Sequence, residues 1–303
     1  RTAMSDANEP GAGIKGNGTT AEENGVSAIS HDGLRLVSLA MENIGPFDEG
    51  EIDFATGGDG APAVTILTGE NGTGKTIVLD AIRGMFGTNY ATLERNIWRE
   101  DAPFRMRLRL AERGFVGALE SYKTLGTSAL SAHVSERADP VIGIANLPQA
   151  VALGEADSPD WTLDYWRSVL ATDEFRIRAF QAPEHRRHLL GALQGTYRNQ
   201  DVTALLCHFD YLRDSRDPHE HASGEAVYQA ARRIVSASLL EGGELAHVRR
   251  SDLTPMLRQA GQEVPLANIS SGNAYLVQHL IELLGKMFSV HMLRKTDPAD
   301  LCK

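Results

Sequence analysis

The segment from Gly69 to Thr76 has the residue types and the spacing that bind the phosphates of a nucleotide. It fits the pattern G-x-x-x-x-G-K-[S/T], in which glycines let backbone N–H groups curl around an anion without Cβ clashes. Lys75 would reach the β- and γ-phosphates, and the Thr76 hydroxyl would bind Mg²⁺. The predicted nucleotide contacts of this phosphate loop are Gly69, Asn71, Gly72, Thr73, Gly74, Lys75, Thr76 and Ile77.

The segments on either side of the loop are of the kinds that the pattern needs. Residues 63–68 form an apolar, β-branched run that predicts a buried strand, and residues 77–83 predict a helix. The N-terminus of that helix would add a positive dipole beside the phosphates. Strand, glycine loop and helix together make a chance match to the pattern improbable.

A second candidate lies near the C-terminus, where Ser270, Ser271 and Gly272 precede a long apolar segment from Tyr275 to about Leu293. Taken alone, this turn predicts only the N-cap of a buried helix. The apolar positions that carry the helical spacing are Leu276, Leu280, Leu283, Leu284, Met287 and Phe288.

Several other elements are predicted from periodicity and turn residues. The alternation of arginine with apolar residues from Arg105 to Leu110 predicts a strand with one arginine face, formed by Arg105, Arg107 and Arg109. The remaining predictions are strands at 34–39, 50–54 and 203–209, a turn at 43–47 and a helix from Ala226 to about Leu240.

Composition limits the class of protein. The chain has 303 residues, of which 42% are apolar, enough for a sizeable core. No run of eighteen apolar residues occurs, so no membrane span is expected. The two cysteines, Cys207 and Cys302, lie far apart and suggest neither a disulfide framework nor a zinc site, which favours a reducing cytoplasm.

The net charge of −10 is concentrated in residues 1–60, which carry eleven acidic and three basic side chains. An acidic total does not exclude a local basic face. Residues 1–32 lack apolar periodicity and predict a disordered tail, in which residues 1–3 resemble a tag remnant before Met4.

Together the motifs resemble those of an ABC-type ATPase head of the SMC, RecF and OLD group, which includes AAA-annotated ATPases of bacterial DNA repair and anti-phage defence. Residues 269–273, Ile-Ser-Ser-Gly-Asn, resemble the signature motif of that family, with Asn273 where the family has Gln or Glu. The segment Asn-Ile-Gly-Pro-Phe at 43–47, ahead of the phosphate loop, resembles the opening of the same group. The resemblance covers residues 34–85 and 255–290.

This resemblance implies an α/β P-loop NTPase fold, with an N-terminal β-rich part, a central sheet and an inserted helical subdomain at about 114–200, within an ATPase domain spanning 33–303. It implies that ATP and Mg²⁺ are sandwiched in a homodimer or higher oligomer. Lys75 would then be catalytic in its own subunit, while Ser270, with Ser271 and Gly272, would cap the γ-phosphate bound by the other subunit. Hydrolysis would drive or gate an effector protein in DNA maintenance or phage defence.

The family's acidic Walker B strand is not evident after the second motif, because only ten residues follow Leu293. Asp210 follows an apolar run but precedes the signature, so an ordinary structural role is favoured for it. The chain is therefore expected to be an N-terminal portion of a longer ATPase, or half of a split one, with weak or absent turnover as it stands.

Two alternatives stay open. The chain could be a nucleotide-sensing module that holds a partner protein without hydrolysis, or another P-loop enzyme such as a small-molecule kinase. An Asn-Lys-x-Asp guanine-reading motif is absent, which disfavours a GTPase. The arginine face could contact nucleic-acid phosphates, although such a row is more often a solvated face paired with acids.

Overall fold

The computed structural model describes residues 35–55, 64–85, 104–112, 115–123, 131–134, 162–166, 173–194, 198–239 and 242–301. The chain divides into two units, 1–31 and 32–303, and every described residue lies in the second. The predicted disordered tail at 1–32 therefore lies outside the described residues.

A five-stranded antiparallel sheet forms the N-terminal part of the described chain, in the order β2-β1-β3-β4-β5. Its strands are β1 (Arg35–Ile44), β2 (Phe47–Asp53), β3 (Phe104–Glu112), β4 (Phe115–Lys123) and β5 (Ser131–Val134). The alternation predicted in β3 is confirmed, because Met106 and Leu108 are fully buried while the arginine face is exposed. Their partners across the β1 ladder are Met41 and Leu39, so the apolar pairs lie on one face of the sheet.

Helix α1 (Lys75–Met85) packs on β3 and β4 of this sheet. Its inward side chains Val78, Ala81 and Ile82 are buried at the three- and four-residue spacing of an amphipathic helix. Burying one apolar stripe on the sheet fixes the direction of α1, and with it the place where the preceding phosphate loop ends.

Four further helices and a small sheet make up the C-terminal part of the described chain. The helices are α2 (His185–Gln194), α3 (Asn199–Leu212), α4 (Pro218–Ser238) and α5 (Ser271–Arg294). Between α4 and α5 lies an antiparallel meander of β6 (Glu244–Arg249), β7 (Thr254–Gln259) and β8 (Gln262–Pro265). A single apolar core joins α3, α4, α5 and the meander.

Three element predictions are corrected. Residues 203–209 belong to helix α3, not to a strand. Nearly every side chain there is buried, the polar Thr203 and His208 included, so the run has no exposed polar face to distinguish the two periods. Residues 115–123 and 131–134, inside the predicted helical insertion, form strands. Residues 64–68 form no strand, and Val64 and Ile66 are 65% and 78% exposed, because no described strand pairs with them.

The helix predicted from Ala226 starts earlier, at Pro218. Asp217 caps it by accepting hydrogen bonds from the backbone N–H groups of His219 and Glu220, and Pro218 occupies the first turn. Asp-Pro is a recognised start signal, so the sequence held the information for this boundary.

In the described ranges, no helix combines the length and the apolar character that a membrane crossing requires.

His208, on α3, is buried against α2 and α5, and this burial makes the stability of the fold sensitive to acid. Its ring lies near those of Phe180, His185 and Phe288, and neither ring nitrogen has a hydrogen-bond partner among the described residues. Burial, with a smaller contribution from His185, lowers the pKa of His208 to about 4. The unfolded chain therefore binds this proton near pH 6.5 and the folded chain only near pH 4, so stability is lost as pH falls through that window.

The His208→Leu variant has no imidazole to take up this proton. When the pH is lowered from 7 to 5, we therefore expect its free energy of unfolding to rise by about 2 kcal/mol relative to that of the parent. The comparison with the parent is needed because burial raises the pKa of Glu282 to about 8, which gives a pH slope of opposite sign. Urea titrations at both pH values measure the effect, with His247→Gln, a partly exposed histidine on β6, as the control. Equal slopes for His208→Leu and the parent would contradict it.

Candidate functional site

The phosphate loop has the backbone that its glycines were expected to allow. Gly69, Gly72 and Gly74 have φ values of 152°, 86° and 92°, in the region that L side chains rarely adopt. The loop ends directly at Lys75, the first residue of α1, and α1 has no acidic residue in its first turn. No carboxylate in the first turn therefore offsets the positive charge at this end of the helix, and the end stays favourable for an anion.

Lys75 folds back over the loop. Its Nζ donates hydrogen bonds to the carbonyl oxygens of Gly69, at 2.8 Å, and Glu70, at 2.6 Å. Thr73 closes the loop further, since its Oγ1 donates to the Glu70 carbonyl at 2.9 Å. The ammonium group thus lies at the loop, and phosphate oxygens would replace neutral carbonyls as its partners.

Thr76 and Ile77 occupy the first turn of α1, as predicted. Thr76 is exposed, so its hydroxyl is accessible to a cation beside the loop. The exposed loop backbone, the ammonium group and this hydroxyl fit the triphosphate of ATP with Mg²⁺. Thr76 Oγ1 would hold Mg²⁺, whose charge would offset that of the phosphates.

The turn between β1 and β2 packs against the back of the phosphate loop, a contact that the sequence analysis missed. A Cβ on Gly74 would lie 2.8 Å from Pro46 Cγ and 2.8 Å from Phe47 Cε2. A Cβ on Gly45 would lie 2.5 Å from Ile77 Cδ1. Both glycines allow the hairpin tip and the loop to approach closely. The signal in the sequence was Gly45, whose positive φ of 53° marks the turn.

Gly74→Ala should therefore destabilise the loop more than Gly72→Ala. Both positions have positive φ, but a Cβ at Gly72 meets nothing within 4 Å. We expect backbone strain alone, about 1 kcal/mol, at Gly72, and about 1–3 kcal/mol more at Gly74 from the clash with Pro46 and Phe47. Urea unfolding of the two variants measures the difference. Equal losses would mean that the hairpin tip does not restrain the loop.

The predicted second motif forms the N-terminus of α5, and its N-cap is confirmed. Ser270 Oγ accepts a hydrogen bond from the Asn273 backbone N–H at 3.4 Å. Ser270, Ser271 and Gly272 are exposed, and a Cβ on Gly272 would meet nothing within 4 Å. The first turn of α5 contains no acidic residue. This end of the helix is thus open to solvent and to an anion brought by another molecule.

The buried face of α5 differs from the predicted one. Leu284 and Phe288 are buried as predicted, but Leu276 is 42% exposed and the face is completed by Ala274, Val277 and Ile281. Helix α5 packs on α2, α3 and α4, while α1 packs on the large sheet. The phosphate loop and the Ser270–Gly272 turn consequently belong to different layers of the described chain.

Asp210 is part of a structural ion-pair cluster. It lies in α3 at 3% exposure, 2.9 Å from Arg213 Nη2 and 3.1 Å from Arg250 Nη2. With both carboxylate oxygens next to guanidinium groups, it is not arranged as a metal ligand. Among the described residues, no group of three or more His, Cys, Asp or Glu side chains could hold a metal ion.

The arginine face of β3 has acidic residues opposite it. Glu42 on β1 is the register partner of Arg105, and Glu120 on β4 is the register partner of Arg107. This placement agrees with a solvated face paired with acids, and nucleic acid stays an untested partner.

Comparison with known protein families gives a match to the N-terminal part of the described chain. The family model of an AAA domain matches residues 38–117, which include most of β1, all of β2 and β3, the phosphate loop and α1. The match supports a P-loop ATPase with an α/β fold, although it covers less than half of the chain. No curated protein matches the sequence.

Among solved structures, one similar chain is that of the recombination mediator protein RecF with ATP, from the RecFOR pathway. It is 12% identical, with a TM-score of 0.40, over 88% of this chain and 84% of that chain.

Proposed function

We propose that this chain is the nucleotide-binding part of an ATPase, which holds Mg-ATP on the phosphate loop at 69–76 and presents the Ser270–Gly272 turn to ATP held by a second copy. The observation that carries the proposal is the loop itself. One exposed site combines three features: glycines with positive φ, an ammonium group that donates hydrogen bonds to the loop carbonyls, and a helix N-terminus without acidic residues.

The proposed dimer, with ATP bound between its two copies, is supported by the complementary character of the phosphate loop and the N-terminus of α5. The phosphate loop would bind the triphosphate in one subunit, leaving γ-phosphate oxygens exposed. The first turn of α5 has no acidic residue, and the space beside Gly272 is open. Both features are needed for this helix end to contact the γ-phosphate oxygens bound by the other copy. In a protein that supplies the remaining catalytic groups, Lys75 and Ser270 would stabilise the charge that develops as water attacks the γ-phosphate in line.

The biological role we propose is the control of an effector in DNA maintenance or phage defence, by closing the dimer on ATP and opening it after hydrolysis. The resemblance of the motifs at 43–47, 69–76 and 269–273 to the SMC, RecF and OLD group supports this role.

A second function, nucleotide sensing without turnover, is favoured by one observation. Asp210, the acidic residue that follows an apolar run and for which a structural role was expected, is paired with Arg213 and Arg250 and so is not free to hold a metal. A chain that binds Mg-ATP through Lys75 and Thr76 would then report nucleotide to a partner without hydrolysing it.

Binding and turnover measured on the same preparation separate these functions. Isothermal titration with Mg-ATP, together with phosphate release, is the experiment. Binding with phosphate release supports the ATPase, and binding without release supports the sensor. No binding at millimolar Mg-ATP would reject both.

A further inference from the structure

A short segment, Thr162–Trp166, lies between the phosphate-loop helix α1 and helix α5 and contacts both. We call this segment the strap. Its successive side chains alternate between the two helices, as expected of locally extended backbone. Tyr165 contacts α1, whereas Asp164 and Trp166 contact α5.

On the α1 side, the Tyr165 hydroxyl donates a hydrogen bond to Asp80 Oδ1 at 2.8 Å. The Arg83 guanidinium lies over the Tyr165 ring, 4.5 Å from its centroid, and Arg83 Nη2 is 3.5 Å from Asp80 Oδ1. The side chains of Arg83 and Asp80 are 3% and 11% exposed. Tyr165 is thus held by a buried polar pair that starts five residues after Lys75.

On the α5 side, Lys286 donates a hydrogen bond to Asp164, and the two form an ion pair with side chains 1% and 9% exposed. The Trp166 ring stacks on His279 at 4.9 Å, and His279 meets the edge of Tyr275 at 4.3 Å. Tyr275 lies little more than one helical turn after Ser270. The contacts of the strap therefore extend to the nucleotide-facing end of α5.

These contacts oppose sliding of α1 and α5 relative to the strap. Separating two buried, paired charges is unfavourable, so the ion pair opposes movement of Asp164 away from Lys286. The partly buried hydrogen bond from Tyr165 likewise opposes movement of this side chain away from Asp80. Helix α1 packs on the large sheet and α5 packs on the other helices, and the strap contacts buried polar side chains of both.

We propose that the strap makes Asp164 and Tyr165 positioning residues, which transmit a shift of α1 on nucleotide binding to the Ser270–Gly272 end of α5. The inference rests on the proposed function, because it requires nucleotide at the phosphate loop. It adds a route within one subunit by which an occupied loop prepares the turn offered to the second copy.

Hydrogen–deuterium exchange of the full chain with and without Mg-ATP tests the strap. Samples are kept at a concentration where light scattering shows a single copy, so that protection cannot come from a partner. In the parent, we expect Mg-ATP to slow exchange at 71–78 and also at 271–280. In Tyr165→Phe, which keeps the ring over Arg83 but loses the bond to Asp80, we expect the first change to remain and the second to fall by at least half.

Tyr211→Phe is the matched control, because this tyrosine is 61% exposed on α3 and its contact is with the Phe180 ring. It should behave as the parent does. Asp164→Asn, which weakens the pair with Lys286, should repeat the effect of Tyr165→Phe from the α5 side.

Three results would overturn the inference while leaving the proposed function in place. They are parent-like exchange at 271–280 in both strap variants, no change at 271–280 in the parent despite ATP binding, or a loss of ATP affinity above tenfold in Tyr165→Phe. If the parent does not bind ATP, the proposed function fails and the inference fails with it.

Discussion

Replacing Lys75 by alanine should lower the affinity for Mg-ATP by at least about 100-fold and leave the fold intact. A charge-assisted contact to phosphate is stronger than a neutral one, and 100-fold corresponds to about 2.7 kcal/mol. The present partners of Lys75 are the backbone carbonyls of Gly69 and Glu70 and, more distantly, Thr73 Oγ1, all in an exposed loop. Water can replace those bonds when the side chain is removed, so the free energy of unfolding should change by less than about 0.5 kcal/mol.

Isothermal titration of the parent and Lys75→Ala with Mg-ATP measures this effect, with urea unfolding as the check on stability. Lys295→Ala is the matched control, since it removes the same charge from an exposed position at the end of α5. Binding of Lys75→Ala within threefold of the parent would mean that nucleotide is held elsewhere. The assignment of residues 69–76 would then be wrong.

The sequence predicted the local elements whose pattern is set by a single buried face. β3 is an example, because Met106 and Leu108 alternate with arginines and nothing else in the segment competes with that period. The phosphate loop is another, since its glycines serve the loop backbone itself. The N-cap at Ser270 likewise depends only on neighbouring residues.

Predictions failed where burial by distant elements decides the structure. The run 203–209 is buried on nearly all sides because α4, α5 and the meander pack around α3, and a short, mainly apolar run alone fits a strand equally well. The run 64–68 has the composition of a buried strand, yet a strand requires partners, and none pairs with it among the described residues.

Contacts between distant segments were beyond sequence reasoning for the same cause. The packing of Pro46 and Phe47 on Gly74 joins a hairpin tip to a loop, and Tyr165 reaches Asp80 across 85 positions of the chain. Neither pairing leaves a periodic signal. The one sequence signal that could have pointed to such a place is the pair of glycines at 45 and 74, which permit close approach of two backbones.

Ser270→Arg should abolish ATP-dependent dimerisation and leave the affinity of a single copy for ATP within about threefold of the parent. An arginine would fill the open space in front of the α5 N-terminus, where the proposed contact with the second copy's γ-phosphate is made. It would also remove the Ser270 cap on the Asn273 N–H, at a cost of about 1 kcal/mol to α5. The cap alone cannot explain a lost dimer, because α5 keeps its buried face of Val277, Ile281 and Phe288.

Light scattering across a concentration series, with and without Mg-ATP, measures the dimer, and titration calorimetry measures the affinity of the single copy. Two controls separate the causes: Ser270→Ala removes the cap without adding bulk, and Ser251→Arg places the same side chain on an exposed turn of the meander. If the trans contact exists, Ser270→Arg should lose ATP-dependent dimerisation while the two controls keep it, or it should lose far more of it than Ser270→Ala does. Dimerisation retained in Ser270→Arg would exclude the sandwich, and the phosphate loop would then serve the sensor or another P-loop enzyme, because neither needs the α5 N-terminus at the nucleotide.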